Sequence, residues 1–177
     1  MIIIACLGNP GTKYRFNRHN CGFLTAYYLA EKNGADISKK QFNALTAKFR
    51  IAEKEVMLVL PQTYMNLSGE SVSAALKYYD LDHSSLIVIH DELELPFGDI
   101  REKKGGGHKG HNGIRSIIAS IGSADFARVR FGIGRPPSDK IPVASYVLSD
   151  FSPEEKTELE DCYEKASRLI EAFCIAK

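Results

Sequence analysis

The sequence predicts a layered α/β fold. Short apolar runs typical of buried strands alternate along the chain with segments that have helical periodicity, and this order is typical of layered α/β folds. The chain has 177 residues, which fits about one domain, so we expect a single domain over 1–177. Its 44% hydrophobic and 25% charged residues are ordinary for a globular protein and exclude intrinsic disorder, collagen and low-complexity scaffolds.

The first half of the chain predicts one strand, one helix and a strand pair. Residues 2–7 are apolar and β-branched and end at a turn rich in glycine and proline, which predicts a buried strand. Helical spacing follows as far as Gly34. The predicted buried face of that helix consists of Cys21, Leu24, Tyr27, Tyr28 and Ala30. Residues 45–51 alternate and residues 56–60 are continuously apolar, so they predict two neighbouring strands.

The middle of the chain continues this alternation. Residues 67–79 have the spacing of a second helix, and residues 86–89 predict another buried strand. Residues 100–104 predict a short and more exposed strand. The run 111–121 predicts a third helix, with Asn112 near its N-cap.

The C-terminal third predicts one strand and one long helix. Residues 127–133 alternate like a strand, and residues 153–175 are amphipathic throughout. Ser152 is the predicted N-cap of that helix, and Glu155 completes a capping box. The proline-containing stretch 136–139 predicts a loop rather than a domain boundary.

Charge is balanced over the chain but uneven along it. The formal net charge is +1, so no overall basic field is expected. Between positions 101 and 135 the only acidic residues are Glu102 and Asp125. The basic residues of that segment are Arg101, Lys103, Lys104, Lys109, Arg115, Arg128, Arg130 and Arg135. Two interpretations stay open: an ordinary solvated surface, or a surface that binds the phosphates of a nucleic acid.

The sequence also predicts where the protein works. A membrane span needs about 20 apolar residues, and the longest apolar run is residues 1–7. The N-terminus lacks the basic region and cleavage site of a signal peptide. The four cysteines show no C-x-x-C spacing, which favours free, buried thiols in a reducing compartment. We therefore expect a cytoplasmic protein.

The segment 103–113 is the densest in groups that could bind an anion. Five of its eleven residues are glycine and most of the others are Lys or His, which suits a loop that cradles a phosphate. Gly110 is followed by His111 rather than by Lys-Ser or Lys-Thr, so the P-loop pattern fails. No buried strand precedes the glycines, so the dinucleotide-binding pattern fails as well. A mobile glycine-rich turn is the alternative.

A metal site is a second reading of the same segment. His108 and His111 have a spacing that zinc can use, and His90, Asp91 or His19 would have to supply a third ligand. No H-E-x-x-H motif or cysteine pair supports this reading, so no metal and no other cofactor is expected.

Polar residues also follow the predicted strands. Asn9 follows the first strand, and Asp91 ends the strand that begins at residue 86; ligands collect at the carboxyl ends of strands in open α/β sheets. An aspartate can orient a histidine and stabilise its charged form, so a pairing of Asp91 with His19 would make a general base. A purely structural His19 is the alternative. Asn66 follows a third strand, and it either caps the next helix or binds a substrate through its amide.

Taken together, these clusters resemble bacterial peptidyl-tRNA hydrolases. The resemblance spans about residues 1–150, in the right order. The matching elements are LGNPG at 7–11, Tyr14, RHN at 18–20, Gly22, Pro61, Thr63, MNLSG at 65–69, HDELELP at 90–96, Gly98, GGGH at 105–108, GHNG at 110–113 and RFGIGRP at 130–136. The resemblance implies one three-layer α/β/α domain with a twisted, mixed and mostly parallel sheet, acting as a monomer.

The resemblance also implies an activity and the residues that perform it. The activity is hydrolysis of the ester between a peptide and the 3′-terminal ribose of tRNA, which recycles tRNA from prematurely released chains. His19 matches the catalytic base and Asp91 its orienting carboxylate, while Asn9 matches the residue that distinguishes blocked from free aminoacyl ends. The implied substrate and tRNA contacts are Tyr14, Tyr64, Met65, Asn66, Asn112, Lys103 and Arg130.

Two other functions stay open from the sequence. The first is an RNA-binding relative that keeps the fold and lacks hydrolysis. The second is a metal-assisted hydrolase that uses His108 and His111. Asn17 stands where the family usually has Thr, Cys6 stands where Gly is common, and the C-terminus is short; none of these departures changes a matching polar residue.

Overall fold

A computed structural model describes all 177 residues. Seven strands form one sheet in the order β2-β3-β4-β1-β5-β7-β6. The strands are β1 Ile2–Cys6, β2 Lys39–Gln41, β3 Ala44–Ile51, β4 Lys54–Pro61, β5 Leu86–Glu92, β6 Ile100–Lys104 and β7 Ala127–Gly132. The helices are α1 Cys21–Lys32, α2 Ser68–Tyr78, α3 Asn112–Ile121, α4 Val143–Val147, α5 Pro153–Lys156 and α6 Leu159–Ile175. Short 3₁₀ turns over Arg18–Asn20 and Met65–Leu67 precede α1 and α2.

The sheet is mixed, and its centre is parallel. The four central strands β4, β1, β5 and β7 pair in parallel, whereas β2, β3 and β6 join through antiparallel pairings. The prediction of a mixed, mostly parallel sheet is therefore confirmed, with the parallel pairings at the centre and the antiparallel ones towards the edges. The physical reason is the short connection between β3 and β4, which turns the chain back on itself; parallel neighbours need a long crossover.

Helices cover both faces of the sheet, as the three-layer prediction requires. On one face, α1 and α6 pack on side chains such as Ile4, Leu58 and Ile89. On the other face, α2 and α3 pack on side chains such as Ile3, Met57 and Val88. Residues of the buried central strands point alternately to the two faces, which explains why their runs are continuously apolar.

The buried face of α1 includes Cys21 and Ala30, as predicted, and otherwise differs from the predicted face. Phe23, Ala26 and Leu29 are buried, whereas Tyr27 is 51% exposed. The helix approaches the sheet at Gly22, where an added Cβ would lie 2.5 Å from the backbone nitrogen of Leu7. This close approach selects the face of Gly22 and Ala26 for burial, because larger side chains would hold the helix away.

The C-terminal helix is broken in two, where one helix was predicted. The capping box of Ser152 and Glu155 is present and starts α5, but α5 ends at Lys156 and α6 begins at Leu159. The hydroxyl of Thr157 donates to the carbonyl of Glu154 at 2.7 Å, a local bond that competes with regular helix geometry.

Two features concern segments near the cavity described below. The helix α4 was not predicted, because five residues are too few to show a period. Asn112 lies next to the N-cap of α3, as predicted; the N-cap itself is His111, whose ring accepts the amide protons of Gly113 and Ile114. The four cysteines are free and buried, as expected. None of the helices has the length and apolar composition needed to cross a bilayer.

Candidate active site

Several predicted site residues meet in one cavity, which lies by the carboxyl end of β5. The cavity has a volume of about 340 Å³. Its lining includes His19 from the turn before α1, Asp91 from β5 and Asn112 from the start of α3, and on its basic side Lys103 and Arg130. The cavity lies at this edge because the central strands are parallel. The loops that follow parallel strands all begin at the same edge of the sheet.

His19 and Asp91 form a hydrogen-bonded pair. The Nδ1 atom of His19 lies 2.9 and 2.8 Å from the two carboxylate oxygens of Asp91. Asp91 is almost fully buried, while the His19 side chain keeps 12% of its surface exposed. The predicted pairing is therefore present, and the imidazole lies between a buried carboxylate and the cavity.

His111 is a second partner of Asp91, which the sequence did not indicate. Its Nδ1 accepts the amide protons of Gly113 and Ile114, so Nε2 carries the proton and donates it to Asp91 at 2.8 Å. The sequence had suggested His111 only as a metal ligand. The one available signal was its position just before the predicted third helix, where a side chain can cap the first turn.

The electrostatics of the pair support a general base. Burial alone would raise the pKa of Asp91, but the histidine charges and hydrogen bonds hold it well below its usual value. Burial lowers the pKa of His19, yet the Asp91 carboxylate reverses this and the net pKa is raised. An ionised Asp91 only accepts hydrogen bonds, so neutral His19 carries its proton on Nδ1 and keeps a lone pair on Nε2.

The neighbouring His90 differs from His19 in its pKa and in its hydrogen bonds. Burial, followed by the nearby His111, lowers its pKa to about 3. Its Nδ1 donates to the backbone carbonyl of Asp91 at 2.9 Å, and its Nε2 is buried without a partner. His90 therefore stays neutral and helps to hold the backbone of the residue that carries the carboxylate.

The geometry does not favour a metal on these groups. Ligand atoms of His19, Asp91 and His111 lie within 4.8 Å of one another. However, the nitrogens that face Asp91 carry protons, and a metal needs their lone pairs. His111 would also have to give up the cap of α3 to change its tautomer. His108 accepts the amide proton of Gly110 through Nδ1 at 2.9 Å and has no bond to Asp91.

Asn9 is held in one orientation by two neighbours. Its side-chain Oδ1 accepts the amide proton of Met65 at 2.7 Å. Its backbone is clamped by the amide of Asn20, which accepts from the Asn9 amide at 2.8 Å and donates to the Asn9 carbonyl at 3.0 Å. Because Oδ1 is taken by a backbone donor, the Nδ2 group of Asn9 is the one left to donate. Asn9 lines a second groove of about 480 Å³.

The basic segment is more internal than a simple surface patch. Arg128 is only 3% exposed, and its guanidinium donates to the carbonyls of Gly106, Gly107 and Ala124. Arg128 therefore shapes the glycine-rich loop and is not part of the open surface. Lys103 stays partly exposed on the cavity, where burial and nearby cations lower its pKa.

Arg130 is the second cation of the predicted pair. Its side chain is 21% exposed and lies 4.0 Å from Glu92, and its buried Nε has no hydrogen-bond partner. The positive charges of Lys103 and Arg130 repel one another. An anion between them would relieve that repulsion.

The other predicted contacts lie outside the cavity lining. Tyr64 is 57% exposed and has a positive φ of 53°, a strained backbone that presents the amide of Met65 to Asn9. The Met65 side chain is buried in the core, so the structure gives it a supporting contact. Asn66 is exposed and makes no helix cap, and Tyr14 is half-buried beside Lys13.

The chain matches one protein family over almost its whole length. Residues 3–177 match the family described as peptidyl-tRNA hydrolase. A peptidyl-tRNA hydrolase of Sorangium cellulosum is 47% identical over 171 residues, covering 96% of this chain and 77% of the relative. A peptidyl-tRNA hydrolase of Syntrophotalea carbinolica is 45% identical over 173 residues, covering 98% of this chain and 90% of the relative.

A solved structure agrees with these matches. The crystal structure of peptidyl-tRNA hydrolase from Acinetobacter baumannii superposes with a TM-score of 0.92 at 36% identity, covering 99% of this chain and 89% of that one. The fold predicted from the resemblance is therefore confirmed. By its sequence and its fold, this chain belongs to the peptidyl-tRNA hydrolase family.

Proposed function

We propose that this protein hydrolyses the ester that joins the peptide to the 3′-terminal ribose of peptidyl-tRNA, with His19 as general base. The chain is an enzyme of the peptidyl-tRNA hydrolase family. The observation that carries the residue assignment is the bond of His19 Nδ1 to a buried, ionised Asp91. That bond leaves the basic Nε2 of His19 free for a water molecule in the cavity.

The reaction needs only the groups of this chain and water. Nε2 of His19 takes a proton from water, and the hydroxide oxygen bonds to the ester carbonyl carbon. The bond from that carbon to the ribose oxygen then breaks, and the imidazolium returns its proton to the leaving oxygen. The products are a peptide with a free carboxylate and a tRNA with a free hydroxyl, while Asp91 stabilises the transient positive charge.

Amide groups would bind the substrate around this base. Nδ2 of Asn9 can donate to the carbonyl of the first peptide group, which a free aminoacyl end lacks. Asn112 begins α3, where the helix N-terminus favours a developing oxyanion. The exposed Asn66 is the other candidate for this role.

The basic residues on one side of the cavity would bind the RNA part of the substrate. Lys103 and Arg130 would bind a phosphate of the tRNA, and the aromatic rings of Tyr14 and Tyr64 would stack on unpaired bases near the tRNA terminus. We assign Met65 a supporting place beside Asn9. All seven strands belong to one sheet, which supports a single domain over 1–177, and we propose that this domain acts as a monomer.

The alternative of an inactive RNA-binding relative is not supported. A protein without hydrolysis would have no need of a buried carboxylate that selects the tautomer of one histidine. Here both members of the pair are present at 2.8 Å, and the named relatives are hydrolases.

The experiment is hydrolysis of N-acetyl-aminoacyl-tRNA and of the unblocked aminoacyl-tRNA side by side, with a chelator present. We expect cleavage of the blocked substrate only, because Asn9 would bind the peptide group that the unblocked substrate lacks. Absence of cleavage while tRNA still binds would contradict the enzyme, and loss of cleavage with the chelator would restore the metal hypothesis.

Replacing Lys103 with alanine is expected to weaken tRNA binding and to leave the rate at saturating substrate nearly unchanged. The lost phosphate contact should lower the slope of log affinity against log salt by about one unit. Binding measured over a salt series tests this. Lys39→Ala is the matched control, because Lys39 is exposed on β2 at the opposite edge of the sheet. An equal loss in both variants would contradict the assignment.

A further inference from the structure

We propose that Arg18 is a positioning residue that holds the helix α4 as a wall of the substrate cavity, and so sets how tightly the substrate is bound. This inference rests on the proposed function, because it concerns the same cavity. The structure gives Arg18 no contact with the cavity itself. Its role would run through the segment that it holds.

The wall in question is apolar and short. Four of the residues that line the cavity are hydrophobic, and α4 supplies three of them, Val143, Ala144 and Val147. The other lining groups are mostly polar or charged. α4 is therefore the main surface against which an apolar part of a substrate can pack.

This wall has little to hold it in place by itself. α4 has five residues, and none of them is buried. A helix of this length is not stable alone, so its position must come from contacts made by its neighbours. One anchor is Tyr146, whose hydroxyl donates to the carbonyl of Ile133 at 3.0 Å.

Tyr146 and Val147 also pack against the core cluster that contains Phe131 and Phe151, and the side chain of Arg18 supplies the polar anchors next to them. One guanidinium nitrogen donates to the hydroxyl of Ser149 and to the carbonyl of Asp150, both at 2.6 Å. The other donates to Glu155 at 2.7 Å. The same guanidinium lies over the ring of Tyr146 at 4.3 Å. A single side chain thus contacts α4 itself, the strand-like segment after it and the start of α5.

The geometry of Arg18 makes these contacts dependent on one another. Its side chain is only 10% exposed and that of Glu155 18%. Glu155 also accepts the Ser152 amide in the capping box, at 2.8 Å. A planar guanidinium can serve these separate acceptors at once, whereas a lysine ammonium is a single point of charge.

The position of Arg18 in the chain links this wall to the catalytic base. Arg18 and His19 are neighbours in the 3₁₀ turn Arg18–Asn20. The Arg18 amide also donates to the carbonyl of Ser149 at 3.0 Å. His19 is separately held by Asp91, so loosening of α4 changes the cavity more than it changes the base.

The test compares Arg18→Lys with the wild type on N-acetyl-aminoacyl-tRNA. We expect KM to rise about five- to tenfold, because charged hydrogen bonds that hold the wall are lost. We expect kcat and the midpoint of its pH profile to stay close to wild type. Arg168→Lys is the matched control, since Arg168 is 73% exposed and also has a glutamate partner, Glu164.

The outcomes separate a positioning role from a structural one. Loss of folded protein lowers the apparent kcat and leaves KM unchanged, so that result would overturn the proposal. A shifted pH midpoint would also overturn it, because Arg18 would then act on His19. If Arg18→Lys does not fold, Ser149→Ala removes one acceptor without stranding a charge, and the same rise in KM is expected. A wild type that does not cleave the substrate refutes the proposed function instead.

Discussion

Replacement of His19 by alanine is expected to lower kcat for peptidyl-tRNA hydrolysis by about 10²–10⁴-fold, the usual contribution of a general base. The physical reason is the loss of the only nitrogen that combines a free lone pair, a raised pKa and a place on the cavity wall. Binding of tRNA should stay nearly intact, because the predicted phosphate contacts of Lys103 and Arg130 do not depend on the imidazole. Single-turnover hydrolysis and equilibrium tRNA binding measure the two effects separately.

The matched control for this substitution is His83→Ala. His83 also has an aspartate near it, with Nε2 3.9 Å from Asp125, but it lies outside the cavity. Its replacement should leave kcat unchanged. If His19→Ala kept more than about a tenth of the wild-type kcat, another group would have to activate the water. A parallel loss of tRNA binding would mean that the turn before α1 had collapsed.

Asp91→Asn is expected to lower kcat by about 10³–10⁴-fold although His19 is still present. An asparagine amide can donate a hydrogen bond to Nδ1 of His19, which favours the tautomer with the proton on Nε2. The base then has no lone pair towards the cavity. His111 adds to the effect, because its proton on Nε2 also needs an acceptor at position 91.

The pH dependence gives this prediction a second readout. In the wild type, activity falls as pH drops through the raised pKa of His19, because the protonated ring cannot act as a base. Asp91 raises that pKa, so the residual activity of Asp91→Asn should persist to lower pH than wild-type activity. Asp125→Asn is the control and should alter neither kcat nor the pH profile. An unshifted acid limb in Asp91→Asn would contradict the assigned pair.

Local sequence patterns were sufficient for most of the secondary structure. Period and length predicted β1 and β5, and the spacing of Ser152 and Glu155 predicted a capping box, because all of these depend on neighbours along the chain. The break after α5 and the short α4 were missed. The break contains a local bond from the Thr157 hydroxyl that hydrophobic periodicity does not reveal, and five residues carry too little periodicity to reveal α4.

The candidate site, like the secondary structure, could be predicted only in part. The residue types and their places after strands were enough to suggest His19 with Asp91, and the resemblance to a family then gave them roles. The sequence could not show that His111 shares the same carboxylate, because 20 residues separate His111 from Asp91. It could not show that Arg128 faces inward, since a basic residue in a basic run has no local sign of burial.

The sequence by itself therefore determined the layered α/β class, the order of strands and helices and the chemistry available at their ends. Only the tertiary structure decided which of those groups touch. The bonds of Arg18 to Ser149 span 131 residues and that of Asn9 to Met65 spans 56. Such contacts exist because the sheet order places β4, β1, β5 and β7 next to one another, and that order is set by packing over the whole chain rather than by any local pattern.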